Sequence, residues 1–365
     1  MMQNFVRNLL TEWRKLDLPF AGKIFVVAIS GGADSVGLTL ALNELKDRKK
    51  LNSRFVLAHF NHNLRGAESK EDENFVKQLA GKLELELAVE VQNSESKIEN
   101  QKGNLEQNAR LARYEFLARI AQNLEADGIL TAHTLNDQAE TFLLNLIRGS
   151  GLQGLGGMKP IRSLKSKVQS PELDDESKIQ NLKSEIKLIR PLLRWAKRED
   201  TENFCRFNEI EFRYDAMNED LAYKRVRIRK VLLPLLMDFN PKMVETLGKT
   251  AELLREDAEL LMQNIWAATN GEPENFSQIE IDEKQEVLIV KDLKIIFPSM
   301  RRFIVREWLK NRRGDLRSLG AKHFEAVENL ILSRKSGSTI ELPGDEIVVR
   351  KDGKLFYKKT KVEKK

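Results

Sequence analysis

Over the first 150 residues, short apolar runs alternate with longer stretches in which apolar residues recur at three- and four-residue spacing. The short runs predict strands buried on both faces, and the longer stretches predict helices with one buried side. The predicted strands are residues 24–29, 54–60, 85–91 and 127–133. The predicted helices begin at Asp34, Ser69, Asn104 and Thr134. This alternation is typical of an α/β fold with a doubly wound parallel sheet.

The rest of the chain has a different pattern. Residues 162–185 are rich in Ser, Lys, Glu and Asp, which predicts a surface insertion. Later segments predict a strand at 186–191, helices at 198–208, 241–266, 299–310 and 315–334, short strands at 278–281 and 287–290, and a hairpin at 338–357. We expect three domains: an α/β domain over 1–215, a mainly helical domain over 216–310 and a small α+β domain over 311–365.

Charge and cysteine content narrow the class of protein. Lys and Arg number 61 against 55 Asp and Glu, a net charge of +6, which suits a polyanionic partner where basic residues cluster. The single cysteine, Cys205, excludes a disulfide framework within the chain and fits a reducing compartment. We interpret it as a core residue. No apolar run approaches the roughly 18 residues of a membrane span, so we expect a cytoplasmic protein without a membrane partner.

The segment between the first predicted strand and helix carries the clearest chemistry. It consists of Ser30, Gly31, Gly32, Ala33, Asp34 and Ser35. Glycines permit a tight turn, and the free backbone N–H groups of a helix N-terminus bind anions, most often phosphate. The spacing matches neither the nucleotide loop with Lys after Gly nor Gly-x-Gly-x-x-Gly. The alternative is an ordinary strand-to-helix turn.

Polar residues also stand at the ends of other predicted strands. His59 and His133 end two of them, and ligands of doubly wound sheets bind at the carboxyl ends of strands. Asp137 and Glu140 share one face near the N-terminus of the helix that follows His133. Two carboxylates at this spacing can hold hydrated Mg²⁺ against phosphates. Favourable placement in the helix dipole is the alternative explanation.

Two basic segments are candidates for phosphate contact. Arg110 and Arg113 share a helix face with Glu106, which predicts either two guanidiniums presented to a phosphate or a solvated helix with one ion pair.

The second basic segment is residues 222–230, in which five of nine residues are Lys or Arg. Its candidate contacts with a nucleic-acid backbone are Tyr223, Arg225, Arg227 and Arg229. A solvated charge run is the alternative.

The Ser-Gly-Gly-x-Asp-Ser segment after an apolar strand resembles the signature of the PP-loop ATP pyrophosphatases, which split ATP into AMP and pyrophosphate to activate a substrate oxygen. Within that group the chain is similar to the tRNA(Ile)-lysidine synthetase family over most of residues 20–260. The blocks that carry this similarity are residues 58–66, 106–114, 131–133, 137–141, 148–151, 189–193 and 227–236.

The resemblance implies a reaction. ATP adenylates the C2 oxygen of the wobble cytidine in the CAU anticodon of tRNA(Ile), and the ε-amine of free L-lysine then attacks C2 as AMP leaves. Residues 1–215 would be the catalytic domain, and the two C-terminal domains would bind the tRNA.

The resemblance also implies residue roles. The ATP-binding residues would be Ser30, Gly31, Gly32, Ala33, Asp34, Ser35, His59, Arg110 and His133. Asp34 and Asp137 would face Mg²⁺, and Asp137 and Glu140 would hold and deprotonate the lysine ammonium. The catalytic residues would be Asp34, Arg113, Asp137 and Glu140, and the tRNA-contacting residues Tyr223, Arg225, Arg227 and Arg229.

Two positions depart from the family pattern. Asn136 stands where the family commonly has Asp, so one of two expected carboxylates is an amide. This puts a metal site formed by both residues 136 and 137 in doubt and leaves Asp137 as the candidate ligand. Val226 stands where the family has Asn before Arg-Ile-Arg, so a hydrogen bond is missing there.

Three other functions compete with this interpretation. A PP-loop tRNA thiolase needs paired cysteines, and this chain has only Cys205. A small-molecule ligase, as in NAD or GMP synthesis, would not need the basic segment at 222–230. A non-catalytic tRNA- or nucleotide-binding protein draws support from Asn136, and pyrophosphate release that depends on tRNA and lysine would distinguish it from an enzyme. The sequence is compatible with a homodimer but does not determine the oligomeric state.

Overall fold

The computed structural model describes residues 2–63, 67–92, 105–164, 186–214, 220–270, 287–314, 316, 318–333, 335 and 337–359, without the side chains of 67, 68, 105–107 and 264–270. The predicted strand at 278–281, most of the predicted insertion and the Glu106 side chain lie outside this part. The chain divides into two compact units, Met1–Leu144 with Gly157–Ala251 and Asn145–Gly156 with Glu252–Lys365. The division into three domains stays a prediction.

Helices and strands alternate along the first half of the chain. The elements are α1 (Asn4–Lys15), β1 (Ala21–Ala28), α2 (Ala33–Asp47), β2 (Asn52–Asn61), α3 (Ala67–Lys82), β3 (Glu86–Val91), α4 (Leu105–Asn123), β4 (Gly128–Leu130) and α5 (Leu135–Ile147). The chain continues with α6 (Leu152–Leu155), β5 (Ile161–Leu164), β6 (Ile186–Ile189), α7 (Arg198–Phe207), α8 (Lys224–Arg227), α9 (Leu233–Phe239) and α10 (Met243–Asn270).

The described strands of the first unit form one sheet in the order β3-β2-β1-β4-β6-β5. Every pair is parallel except β5 with β6. Successive residues of β1 enter different cores, because Phe25 and Val27 pack with α1 and α2 whereas Val26 packs against Phe116 and Leu117 of α4. A strand covered on both faces accounts for the continuous apolar run. The predicted doubly wound parallel sheet is confirmed.

The predicted surface insertion begins three residues too early. Residues 162–164 were assigned to the surface insertion, but they belong to β5, where Arg162 pairs with Leu188 and Leu164 with Ile186. The backbone N–H of Arg190 extends this pairing to the carbonyl of Pro160 at 2.8 Å. β5 is thus the edge strand of the sheet, and β6 is paired on both sides.

The order of the strands locates a crevice. β1 has β2 on one side and β4 on the other, and β6 lies on the far side of β4, so the chain leaves the carboxyl ends of β1 and β4 in opposite directions along the sheet. This reversal is the position at which open α/β sheets bind ligands. Ser30 lies one residue beyond Ile29 at this edge, and His133 lies three residues beyond the end of β4.

The basic segment forms a helix with an irregularity. A π-helical turn at Ile228–Leu232 separates α8 from α9. Pro234 cannot donate a backbone hydrogen bond to the carbonyl four residues earlier, and the wider turn accommodates that loss. The turn changes the direction of side chains along the segment, including that of Arg229.

The second unit has its own core. It contains α6 and most of α10. Its later described elements are β7 (Val287–Ile289), α11 (Val290–Ile295), α12 (Pro298–Arg313), α13 (Ala321–Leu332), β8 (Thr339–Leu342), β9 (Glu346–Lys351) and β10 (Lys354–Lys359). The strands form an antiparallel sheet in the order β7-β10-β9-β8, and Trp308, Val327 and Val348 are buried at its centre. The predicted hairpin is confirmed by the antiparallel pairing of β9 with β10. No described helix is long and apolar enough to cross a membrane.

Candidate active site

A cleft of about 710 Å³ opens in the first unit at the carboxyl ends of β1, β2 and β4. It brings together the loop after β1, both predicted histidines and both predicted arginines of α4. The candidate residues that line it are Ser30, Gly32, Ala33, Asp34, Ser35, His59, Arg110, Arg113, His133, Asp137, Tyr223, Arg225 and Arg229.

The loop after β1 is held by its own hydroxyl groups. Ser35 Oγ accepts a hydrogen bond from the backbone N–H of Ser30 at 3.1 Å and donates to the carbonyl of Gly32 at 3.0 Å. Gly31 has φ +91°, and a Cβ there would contact Phe75 and Arg213, so only glycine fits without strain. The first N–H groups of α2 have no intrahelical acceptor, which leaves them free to bind an anion.

Asp34 is the acidic residue of this loop, and Thr201 on α7 determines its surroundings. Thr201 is fully buried, and its hydroxyl lies 2.5 Å from Asp34 Oδ1 and 2.7 Å from the carbonyl of Arg198. Burial, and then the negative charge of Asp137, raise the pKa of Asp34 to about 6. The Thr201 hydroxyl and the charges of Arg198 and Arg229 act in the opposite direction, because they stabilise the ionised carboxylate and lower its pKa.

Asp137 and Glu140 lie within a network of arginines. Glu140 is fully buried and accepts hydrogen bonds from Arg225 Nε at 2.8 Å and from Arg229 Nε at 2.7 Å. Arg198 Nη2 lies 3.5 Å from both carboxylates. Burial alone would raise the pKa of Asp137, but the charges of Arg225 and Arg198 and a hydrogen bond from the backbone N–H of Thr134 lower it to about 2. Asp137 is therefore ionised at neutral pH.

The two predicted histidines of the cleft, His59 and His133, are neutral at pH 7. Burial lowers the pKa of His133 to about 3 and lowers that of His59 as well. His59 Nδ1 lies 2.9 Å from the carbonyl of Ile29, so Nδ1 carries the proton and Nε2 is an acceptor. Nε2 is buried without a hydrogen-bond partner in the described part of the protein, so it can accept a hydrogen bond from a ligand.

The four predicted tRNA-contacting residues face different surroundings. Arg225 and Arg229 pair with Glu140, and Tyr223 is half-buried at the cleft. Arg227 is exposed. The sequence spacing placed Arg225 and Arg229 on one face but did not reveal that this face packs against a carboxylate.

Sequence reasoning missed Thr201 and Arg198. Both lie at the start of α7, three residues apart, where the sequence pattern already predicted a helix at 198–208. The available signal was the position of these two polar residues in the first turn of a helix that follows a parallel strand, where ligands of such sheets bind.

The two departures from the family pattern have structural explanations. Asn136 Oδ1 accepts a hydrogen bond from the backbone N–H of Arg198 at 3.0 Å, so this side chain anchors the start of α7. Val226 is buried and fills an apolar position.

Comparison with known proteins identifies the fold and its relatives. A model described as "PP-loop domain" matches residues 2–236, and one described as "TilS substrate binding domain" matches residues 288–356. A solved U34-tRNA thiolase from Methanococcus maripaludis covers 69% of this chain and 79% of its own, with a TM-score of 0.54 and 18% identity. At that identity the likeness shows the fold alone.

Two curated relatives match large parts of this chain. The tRNA(Ile)-lysidine synthase of Geobacter sulfurreducens is 32% identical over 340 residues, which are 92% of this chain and 65% of that protein. That of Symbiobacterium thermophilum is 38% identical over 243 residues, 66% of this chain and 46% of that protein. The chain thus spans about 65% of the length of the Geobacter relative. Because the PP-loop match takes in more than half of the 365 residues, this chain belongs to the PP-loop domain family.

Proposed function

We propose that this protein ligates L-lysine to C2 of the wobble cytidine of a CAU-anticodon tRNA(Ile), using ATP and releasing AMP and pyrophosphate. One observation carries the proposal: a phosphate-binding loop and an ionised carboxylate framed by arginines line the same cleft. The similarity to tRNA(Ile)-lysidine synthases of Geobacter and Symbiobacterium names the reaction that such a cleft would perform.

In the first step, the cytidine C2 oxygen attacks the α-phosphorus of ATP and pyrophosphate leaves. The backbone N–H groups at the start of α2 would bind the departing phosphates and stabilise their charge. Arg110 and Arg113 line the same cleft and would hold the phosphate that stays on the cytidine.

Mg²⁺ fits this site through Asp34. No three His, Cys, Asp or Glu side chains of the described residues could hold a metal by themselves, but Mg²⁺ commonly uses one or two carboxylates together with phosphate oxygens. Asp34 is half-buried beside the charge of Asp137, and a cation would relieve that repulsion. When bound, Mg²⁺ would neutralise phosphate charge.

In the second step, the lysine ammonium gives a proton to water, and the resulting ε-amine attacks C2 while AMP leaves with the former cytidine oxygen. Asp137 would pair with the lysine ammonium, because its carboxylate stays ionised. A pKa of about 2 makes Asp137 a weak base, so we assign it charge pairing rather than proton removal. Glu140 is enclosed by guanidiniums with no exposed surface, so we assign it the positioning of Arg225 and Arg229 and not contact with lysine.

The experiment that tests this proposal is incubation with a CAU-anticodon tRNA(Ile), ATP and labelled lysine. We expect label in the tRNA and one AMP for each lysine incorporated. Omitting either lysine or tRNA should suppress the product. If the protein binds tRNA and ATP but incorporates no lysine and forms no AMP, it is a non-catalytic relative.

A thiolase mechanism is disfavoured by the environment of Cys205. The side chain is fully buried, and burial raises the pKa of its thiol to about 12. The thiolate that sulfur transfer needs is therefore scarce at neutral pH.

A cytoplasmic location fits the proposed substrates. A homodimer is a further proposal, which sedimentation would test.

The basic segment makes a distinguishing prediction about tRNA binding. Arg227→Ala should weaken tRNA affinity and reduce the slope of log K against log salt by about one, because an exposed guanidinium releases one counterion. Arg225→Ala should change the salt slope less and impair catalysis more, because Arg225 is held by Glu140. Filter binding at several salt concentrations measures both slopes. Equal slopes for Arg227→Ala and the wild type would remove Arg227 from the tRNA contact.

A further inference from the structure

The start of α7 packs directly against the start of α2. Gly37 of α2 is buried, and a Cβ there would lie 3.4 Å from the Thr201 side chain and 3.5 Å from the Thr201 carbonyl oxygen. One turn further along α7, Cys205 Sγ lies 3.5 Å from the carbonyl of Ala33. Thr201 and Cys205 are four residues apart and therefore share one face of the helix. This face of α7 holds the first turn of α2 in place.

Thr201 makes a polar contact across this interface that an apolar residue could not make. Its side chain is fully buried, and its hydroxyl donates to Asp34 Oδ1 at 2.5 Å. Hydrogen bonds to an ionised acceptor are short and about twice as strong as those between neutral groups. The same hydroxyl lies 2.7 Å from the carbonyl of Arg198, which restricts its rotation. Thr201 therefore fixes the orientation of the Asp34 carboxylate.

The two oxygens of Asp34 have different surroundings. Oδ1 is occupied by Thr201, whereas Oδ2 accepts no hydrogen bond from any residue that the structure describes. The guanidinium of Arg198 approaches Oδ2 only to 3.8 Å, which is too far for a hydrogen bond. Asp34 lines the cleft, and its side chain is 25% exposed. Because Thr201 holds Oδ1 on the side of α7, Oδ2 is the oxygen that a ligand in the cleft can reach.

We infer that Thr201 is a positioning residue, which orients Asp34 so that the carboxylate presents one oxygen, Oδ2, to Mg²⁺ on the phosphates of ATP. The inference rests on the proposed function, because it takes Asp34 to face Mg²⁺ there. Mg²⁺ requires nearly ideal octahedral placement of its ligands, and hydrogen bonds from neighbouring groups orient the side chains that bind metals. Thr201 supplies such a bond from within the protein and, being fully buried, does not touch the nucleotide.

The alternative is that Thr201 is a packing residue whose hydroxyl only completes the first turn of its own helix. Two substitutions separate these roles. Thr201→Val keeps the shape of the side chain and loses the hydroxyl, whereas Thr201→Ser keeps the hydroxyl and loses a methyl group. A packing role makes Thr201→Ser the more damaging change, and a positioning role makes Thr201→Val the more damaging one.

Thr39→Val is the matched control. Thr39 is also buried, lies in α2, and its hydroxyl donates to a backbone carbonyl, that of Ser35, at 2.8 Å. For the wild type and the three variants, calorimetry would give the Kd of ATP with Mg²⁺ and with EDTA, in the absence of tRNA and lysine.

With Mg²⁺ we expect the Kd of ATP to rise about tenfold for Thr201→Val, the scale of one hydrogen bond to a charged group, and to stay at the wild-type value for Thr201→Ser and Thr39→Val. With EDTA all four proteins should bind ATP equally. The inference is overturned if Thr201→Val binds ATP with Mg²⁺ as the wild type does, if Thr201→Ser weakens binding more than Thr201→Val, or if the loss is as large with EDTA.

A second pair of variants covers a failure of Thr201→Val to fold. Thr201→Ala and Thr201→Ser both lack the methyl group and differ only in the hydroxyl, so the same tenfold difference in Kd is expected between them, and equal values would overturn the inference. Failure of lysine incorporation by the wild type would contradict the proposed reaction but would leave these differences in Kd intact.

Discussion

Asp34→Asn is expected to abolish AMP formation and, at pH 8, to make the protein more resistant to urea. The pKa of Asp34 is raised from 3.8 to about 6 by burial and by Asp137. For an acid with a raised folded-state pKa, the stabilising effect is complete below the unfolded pKa and is lost as pH rises through the folded pKa. The ionised carboxylate therefore destabilises the folded protein above pH 6. A shift of about two units corresponds to at most about 3 kcal/mol.

The measurement is urea denaturation followed by tryptophan fluorescence at pH 8 and pH 4. At pH 8 the variant should be more stable than the wild type by about 1–3 kcal/mol, and the difference should vanish near pH 4. Asp47 is exposed at the other end of α2, so Asp47→Asn should leave the stability unchanged at both pH values. If Asp34→Asn were less stable than the wild type at pH 8, the ionised carboxylate of Asp34 would stabilise the folded protein, and the prediction would be wrong.

Glu140→Gln is expected to destabilise the first unit by about 3–5 kcal/mol, the usual cost of removing one partner from a buried ion pair. Glu140 has no exposed surface and accepts from Arg225, Arg229 and Arg198. Glutamine keeps the shape but leaves three guanidiniums without their shared negative charge. Lysine incorporation should fall together with stability, since the same arginines frame Asp137.

The matched control for this variant is Glu44→Gln. Glu44 pairs with Arg48 at 2.6 Å on the surface of α2, and exposed pairs of this kind contribute less than about 1 kcal/mol. Chemical denaturation of both variants at pH 7.5 gives the comparison. If Glu140→Gln lowered the free energy of unfolding no more than Glu44→Gln does, then water or a rearrangement would satisfy the three arginines in place of Glu140. Glu140 would then have no positioning role.

The sequence predicted the central elements well because their signals are local. The apolar run at 24–29 became the core of β1, and the alternation with helices led directly to the parallel sheet. The glycine segment could be assigned to phosphate binding for the same reason, since the turn, the helix start and the free N–H groups all lie within six residues.

The partners of the charged side chains could not be predicted in this way. Helical spacing assigns Arg225 and Arg229 to a common face, but it contains nothing about the buried Glu140 that lies 85 residues from Arg225 along the chain. The same limit applies to Thr201, which reaches Asp34 across 167 residues.

By itself, then, the amino-acid sequence determined the α/β architecture, the glycine turn between β1 and α2 and the set of polar residues near the strand ends, because periodicity and backbone conformation depend on near neighbours. Only the tertiary structure decided which charges are paired and which are left unpaired. It enclosed Glu140 among arginines, and it left Arg190 with Arg113 beside the cleft without a carboxylate among the described residues. The free energy of a charge depends on every group around it in space, and those groups come together only when distant segments of the chain have folded.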